Sequence, residues 1–163
     1  QEMIRRNNEE LVAAWGNLVQ RVFAQINNNF DKLGDISDSE EIDTKLIFGF
    51  EEAYKNIGNL IEKVELKSSL QESMRCVSQV NAYLNETEPW KIIKDDTKRA
   101  GRVLYTSLQA IDSCANLLYP FMPTTSENVR NAIPKTTECK WGVNEIKRGV
   151  ELGQLELLFK KFD

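Results

Sequence analysis

An asparagine and an arginine four residues apart, Asn17 and Arg21, sit in a stretch with helical hydrophobic spacing. With Trp15 at the centre of the apolar stripe, Asn17 falls about 200° around the helix and Arg21 about 240°. Residues at that separation are neighbours on one face, and this face points away from the stripe. An amide offers a donor and an acceptor; a guanidinium offers a flat fork of donors that also stacks. Side by side on a rigid helix, they suit the edge of an unpaired base. The plainer reading is a solvated polar face, the usual place for long polar side chains. Gly16 beside them costs about 1 kcal/mol against Ala in a helix interior. Close approach of a helix or a ligand would account for it.

Trp90 poses a similar choice. It stands directly behind Pro89 in the polar run "NETEPWK". One reading is an indole plugging the core at a helix start. The other is a platform for stacking a flat ligand, where one base is worth about 1–3 kcal/mol. Lys91, Lys94, Lys98, Arg99 and Arg102 follow closely. Lys91 and Lys94 are candidate phosphate contacts, although Asp95 and Asp96 dilute the patch. An ordinary solvated face explains the same charges. Trp15 lies in its stripe and reads as core; Trp141 lies in a loop region as a cover for the bundle.

Histidine is absent from all 163 residues. That removes Ser-His and Cys-His nucleophile pairs, histidine-based zinc motifs and the commonest general base. Carboxylate or lysine chemistry is left, so an independent enzyme ranks low. Cys76, Cys114 and Cys139 are odd in number and widely spaced, which fits a reducing cytoplasm and offers no Cys pair for zinc. They read as small buried or half-buried hydrophobes. The net charge is −4, whereas a protein gripping nucleic acid mainly through phosphates is normally basic. No apolar run approaches a membrane span, and no signal peptide is evident. The first residue is not Met, so a piece of a longer chain is expected.

The elements that must position these residues are helical. Apolar residues recur at helical spacing at Ile4, Leu11, Trp15, Leu18, Val19, Val22, Phe23 and Ile26. Asp38 and Glu41 form a capping pattern ahead of Ile42, Leu46, Phe50, Ala53, Tyr54, Ile57, Leu60, Ile61 and Val64. A third helix is expected from Ser68 or Ser69 until Pro89 stops it. A short helix then runs from Pro89 to Lys94, proline being tolerated in a first turn. A fourth long helix starts near Thr97 and ends before Pro120, and Thr124 with Glu127 opens a last short one over 125–133. Nothing alternates with period two for long. The sequence therefore predicts an all-α antiparallel helical bundle of four long helices plus short ones, over residues 1–133. Residues 134–163 form a tail, whose Leu152, Leu155, Leu157, Leu158 and Phe159 are apolar enough to dock back.

Four segments carry a family resemblance. "NNEELVAAWGNLVQRV" (7–22) resembles the opening helix of the anticodon-binding domain of methionyl-tRNA synthetase. "NAYLNETEPWKIIKDD" (81–96) is similar to that family's Pro-Trp element. "LLYPFMPTTSENV" (117–129) is similar to its late helix, proline turn and short helix, and "LELLFKKFD" (155–163) to its closing segment. The resemblance implies a class I synthetase anticodon-binding bundle behind a catalytic domain, reading the CAU anticodon of tRNA(Met). Carried over by position, Trp90 would stack on the wobble cytosine, and Asn17 and Arg21 would contact anticodon bases. The family's catalytic signatures, His-Ile-Gly-His and Lys-Met-Ser-Lys-Ser, are absent here. Aminoacylation with methionine, and the ATP, magnesium and zinc that go with it, would belong to the parent enzyme. The family commonly places proline where Leu157 stands, which bears on how the tail docks. With no further domain after Asp163, a cytoplasmic monomer is expected. Two rival readings stand beside this one: the corresponding domain of a valine, isoleucine or leucine synthetase, and a helical interaction module without RNA function. The latter requires a buried Trp90.

Overall fold

The computed structural model describes residues 2–30, 32–136, 139–149 and 151–155. Among them are six helices: α1 (Glu2–Asn29), α2 (Glu41–Glu62), α3 (Leu66–Thr87), the single-turn α4 (Pro89–Ile92), α5 (Thr97–Leu118) and α6 (Pro123–Ala132). One isolated antiparallel bridge, Lys135 with Ile146, stands where a sheet would otherwise begin. The expected all-α bundle is the architecture found.

Each long helix buries the face that its spacing marks out. On α1, Trp15, Leu18, Val19, Val22, Phe23 and Ile26 are buried. The Ile4 and Leu11 side chains of the same stripe lie outside the described residues, as do Leu157, Leu158 and Phe159. On α2, Phe50, Ala53, Tyr54 and Ile57 are buried, and α3 contributes Leu70, Cys76, Val77, Val80, Tyr83 and Leu84. Helix α5 is different. Between Ala100 and Leu118 only Arg102 and Gln109 escape full burial, so α5 is the axis around which the others pack. A helix enclosed on all sides must satisfy its polar side chains internally.

Two polar clusters do much of this, while Asp112 Oδ2 and Ser113 Oγ make no hydrogen bond among the described residues. At one end of the bundle, Asp43 of α2 is 1% exposed. It takes a bidentate pair from Arg99 of α5, at 2.6 and 3.0 Å, and a hydrogen bond from the Tyr83 hydroxyl of α3. It also accepts the backbone N–H of Glu40 at 2.9 Å. At the other end, Asp112 of α5 accepts from Lys135 Nζ at 3.0 Å and faces Arg130 of α6 at 3.5 Å. Arg130 donates to Asn116, whose own amide donates to the Tyr54 hydroxyl and the Lys140 carbonyl. The segment after α6 is thereby fixed to α2 and α5. Trp141 completes it, donating to the Tyr54 carbonyl at 3.2 Å and meeting the Tyr54 ring edge-on at 5.0 Å.

Several boundaries differ from the sequence expectation, each for a local reason. The cap of α2 is the Glu40–Asp43 pair rather than Asp38 and Glu41, because Asp43 is drawn inward by Arg99. Helix α3 begins at Leu66, ahead of the two serines. The chain reverses through Val64, at φ 59°, with Glu65 N–H bonded back to the Leu60 carbonyl at 2.8 Å. Val64 thus leaves the stripe it was assigned to and is 74% exposed. Helix α4 stops at Ile92 instead of reaching Lys94. Helix α6 starts at Pro123, in the first-turn position proline favours. Cys76 and Cys114 are buried as expected, but Cys139 is exposed. Between α1 and α2 the chain presses on α5 at Gly101, where a Cβ would stand 2.8 Å from Ile36 Cγ2.

Burial alone raises the Asp43 pKa, but the hydrogen bonds from Arg99, Tyr83 and Glu40 outweigh it and hold the carboxyl below the ordinary value of 3.8. The contribution of Asp43 to stability is therefore complete above about pH 4 and is lost as pH falls through the folded value. Asp43→Ala, which leaves the largely buried Arg99 with only the exposed Glu40 carboxylate as an ion-pair partner, is expected to cost about 3 kcal/mol in urea unfolding at neutral pH. Between about pH 4 and pH 2 the native protein should lose stability more steeply than Asp43→Asn.

Candidate functional site

The site begins where α3 ends. Thr87 turns its hydroxyl back to the Tyr83 carbonyl at 2.8 Å, which occupies an acceptor of the last turn. Proline at 89 bars the preceding residue from the right-handed helical region. Glu88 takes a left-handed conformation, φ 45° and ψ 60°, and closes α3 while opening α4. That one residue redirects the chain. Pro89 goes into the bundle and is buried, so proline is the plug. The indole of Trp90 remains at the surface, 37% exposed.

Against Trp90 stands Arg21. Its guanidinium carbon lies 4.5 Å from the indole centroid, over the ring. Helix α1 can supply this arginine because its opposite face, from Trp15 to Ile26, is anchored in the core. Asn17 sits one turn earlier and is exposed; Gly16 beside it is buried. The structure thus brings Arg21 and Trp90 into direct contact and leaves Asn17 open on the same helix face. Trp90 is not buried, as a helical module without an RNA site would have it, but at 37% it is less than half exposed. Trp15 is the core tryptophan, with no exposure at all.

The cationic run after Trp90 divides in two. Arg99 is held by Asp43 and Glu40. Arg102 donates to the Ser37 carbonyl at 2.6 Å, and its guanidinium lies 5.2 Å from the Tyr105 ring. Both are structural. Lys98 reaches Asp35 at 3.7 Å. Lys91 pairs with Glu88 across one turn of α4. Lys94 is exposed in the turn between α4 and α5. Because α4 ends at Ile92 and α5 starts at Thr97, Lys91, Lys94 and Lys98 do not line one continuous helix. Asp96 serves that break as the cap of α5, accepting from Arg99 N–H at 3.1 Å.

Sequence reasoning missed two features. It joined Arg21 and Trp90 in one site only through the family resemblance, with no sign that the two side chains touch each other. It also gave Glu88 no role, although a residue before proline is a marked position. Among the described residues, no group of three or more His, Cys, Asp or Glu could hold a metal ion. Among the described residues, no helix is long and apolar enough to cross a membrane.

The described residues thus form an all-α bundle with a partly exposed aromatic and guanidinium pair at its surface. Residues 33–163 match the family model described as the anticodon binding domain of methionyl tRNA ligase, and the chain belongs to that family. A methionine–tRNA ligase of Bifidobacterium adolescentis is 42% identical over 137 residues, which are 83% of this chain and 22% of that protein. One from Chloroflexus aurantiacus is 38% identical over 128 residues, 78% of this chain and 21% of that protein. The chain therefore spans about a fifth of the length of these curated relatives. The fold matches that of Mycobacterium tuberculosis methionyl-tRNA synthetase in complex with methionyl-adenylate, with a TM-score of 0.85 and 18% identity, over 98% of this chain and 33% of that one. The apo form of that synthetase gives 0.83 and 19%, over 97% and 34%. Trp90 lies within the family match; Asn17 and Arg21 lie ahead of it, on the helix that the structural matches include.

The left-handed turn at Glu88 has a measurable signature. Glu88→Gly is expected to change stability by less than about 1 kcal/mol, since glycine adopts that conformation freely while adding unfolded-state entropy. Glu88→Val should cost about 1–3 kcal/mol, because a β-branched residue resists the same angles. Urea unfolding of the two variants checks this.

Proposed function

We propose that this domain reads the CAU anticodon of methionine tRNAs for a parent methionine–tRNA ligase. The observation that carries the proposal is the Arg21–Trp90 contact: a partly exposed indole next to a guanidinium, with the Asn17 amide one turn away. Single-stranded RNA bases are read by stacking on aromatic rings and by hydrogen bonds to their edges. In this reading the wobble cytosine stacks on Trp90. Arg21 and Asn17 supply the edge contacts, the guanidinium donating and the amide doing both.

Phosphates play a smaller part. The chain carries a net charge of −4, so counterion release contributes little and binding is expected to be weak at physiological salt. Lys94, clear of the Glu88–Lys91 pair, is the better placed of the two candidate phosphate contacts. Most tRNA affinity then resides in the remainder of the parent chain. That remainder would attach methionine in the cytoplasm with ATP, magnesium and zinc. This domain would work as a monomer alongside the parent's catalytic domain.

The test is a titration with a CAU anticodon stem-loop and with one whose wobble cytosine is replaced, at one fixed low salt. Stacking and edge contacts of about 1–3 kcal/mol each imply a preference for cytosine of about tenfold or more. Trp90→Ala should remove most of it while leaving the helical circular dichroism unchanged. Equal binding of the two loops, or unfolding of Trp90→Ala, would contradict the proposal.

A further inference from the structure

The guanidinium of Arg21 occupies the face of Trp90, at 4.5 Å from the ring centroid. Stacked aromatic partners have centroids about 4.5–7 Å apart, so a base stacking on that face needs the volume that Arg21 now fills. A guanidinium reading the edge of a stacked base must lie beside the base, in its plane. The same side chain cannot lie between the base and the indole. Arg21 is only half-buried, and among the described residues no Asp or Glu forms an ion pair with it. Its cation is therefore held at the indole face by a contact that can be exchanged.

We infer that Arg21 caps Trp90 in the free protein and is pushed aside by the incoming base, which makes it a gate for base identity. This rests on the anticodon reading above and adds to it. Every base that enters must break the cation–π contact. A base that presents acceptors to the displaced guanidinium, as cytosine does with its ring nitrogen and carbonyl, regains hydrogen bonds in exchange. A base that presents fewer in the same place bears the loss unrelieved. Selectivity then comes in part from a contact that exists only when no base is bound. This resembles other cases in which specificity depends on what is disfavoured as much as on what is favoured.

The gate makes a prediction that a simple contact does not. The stacking increment of a non-cognate base is the ratio of affinities for a stem-loop with uracil at the wobble position and for one abasic there. Both loops carry the same phosphates, so the long-range charge effect cancels. Arg21→Gln uncaps the indole, and the uracil increment should rise about two- to fivefold, the equivalent of one exposed cation–π contact. The cytosine preference should fall at the same time. Acrylamide quenching of tryptophan fluorescence without RNA should increase in Arg21→Gln, because Trp15 is buried and Trp141 is held by Tyr54 rather than by Arg21. Unchanged quenching would overturn the cap. Increased quenching with an unchanged or smaller uracil increment would overturn the displacement, since the base would then be using the other face. If the native domain gives no base increment even with cytosine, the anticodon reading fails and this inference with it. An intact cytosine preference with an unchanged uracil increment defeats this inference alone.

Discussion

The buried carboxylate of Asp43 is the point on which this bundle turns. It is tied to α5 through Arg99, to α3 through Tyr83 and to the start of α2 through its own cap. Those attachments bracket α4. Tyr83 lies one turn before the end of α3, and its carbonyl receives Thr87; Arg99 lies in the first turn of α5. The chain between them is short, so the single turn that carries Trp90 springs from a frame fixed on both sides. Desolvating this carboxylate is costly, and it takes four hydrogen bonds, two of them from the charged Arg99, to make the burial favourable. Burial and the adjoining carboxylate also push the Tyr83 hydroxyl pKa upward, which keeps it a donor.

The frame is rigid where the site is not. Pro89 is buried and Glu88 is locked by its backbone angles, so the position of the Trp90 backbone is set. The indole itself rests on a surface contact with Arg21, worth about 0.5–1 kcal/mol at an exposed site. A strong scaffold presenting a weakly closed pair suits the proposed recognition surface. On that proposal the platform costs little to open, and the energy of reading a base would not be consumed in ordering the loop that holds it.

Much of the fold was legible because it is local. The stripes from Trp15 to Ile26 and from Phe50 to Ile57 repeat at helical spacing, and proline marked the ends of α3 and α5. What the sequence hid depends on partners far along the chain. Asp43 became the cap of α2 because of Arg99, 56 residues away. The same pairing removed Arg99 from the apparent cationic patch, and the Ser37 carbonyl removed Arg102. Nothing in the spacing of Asn17, Arg21 and Trp90 said that two of them would meet. Their types suggested base recognition, and the family resemblance tied them to one site. The left-handed Glu88 was within reach of local reasoning, since proline restricts its predecessor, yet restriction alone does not say which allowed region is chosen.

The proposed site requires Arg21 and Trp90 to act as one unit in reading a base. A double-mutant cycle of Arg21→Gln, Trp90→Ala and the double variant, read as preference for cytosine over uracil at the wobble position, tests this directly. The two single losses should overlap, with a coupling of about 1 kcal/mol or more, as for residues in contact. Losses that simply add, in variants that all remain folded, would contradict it.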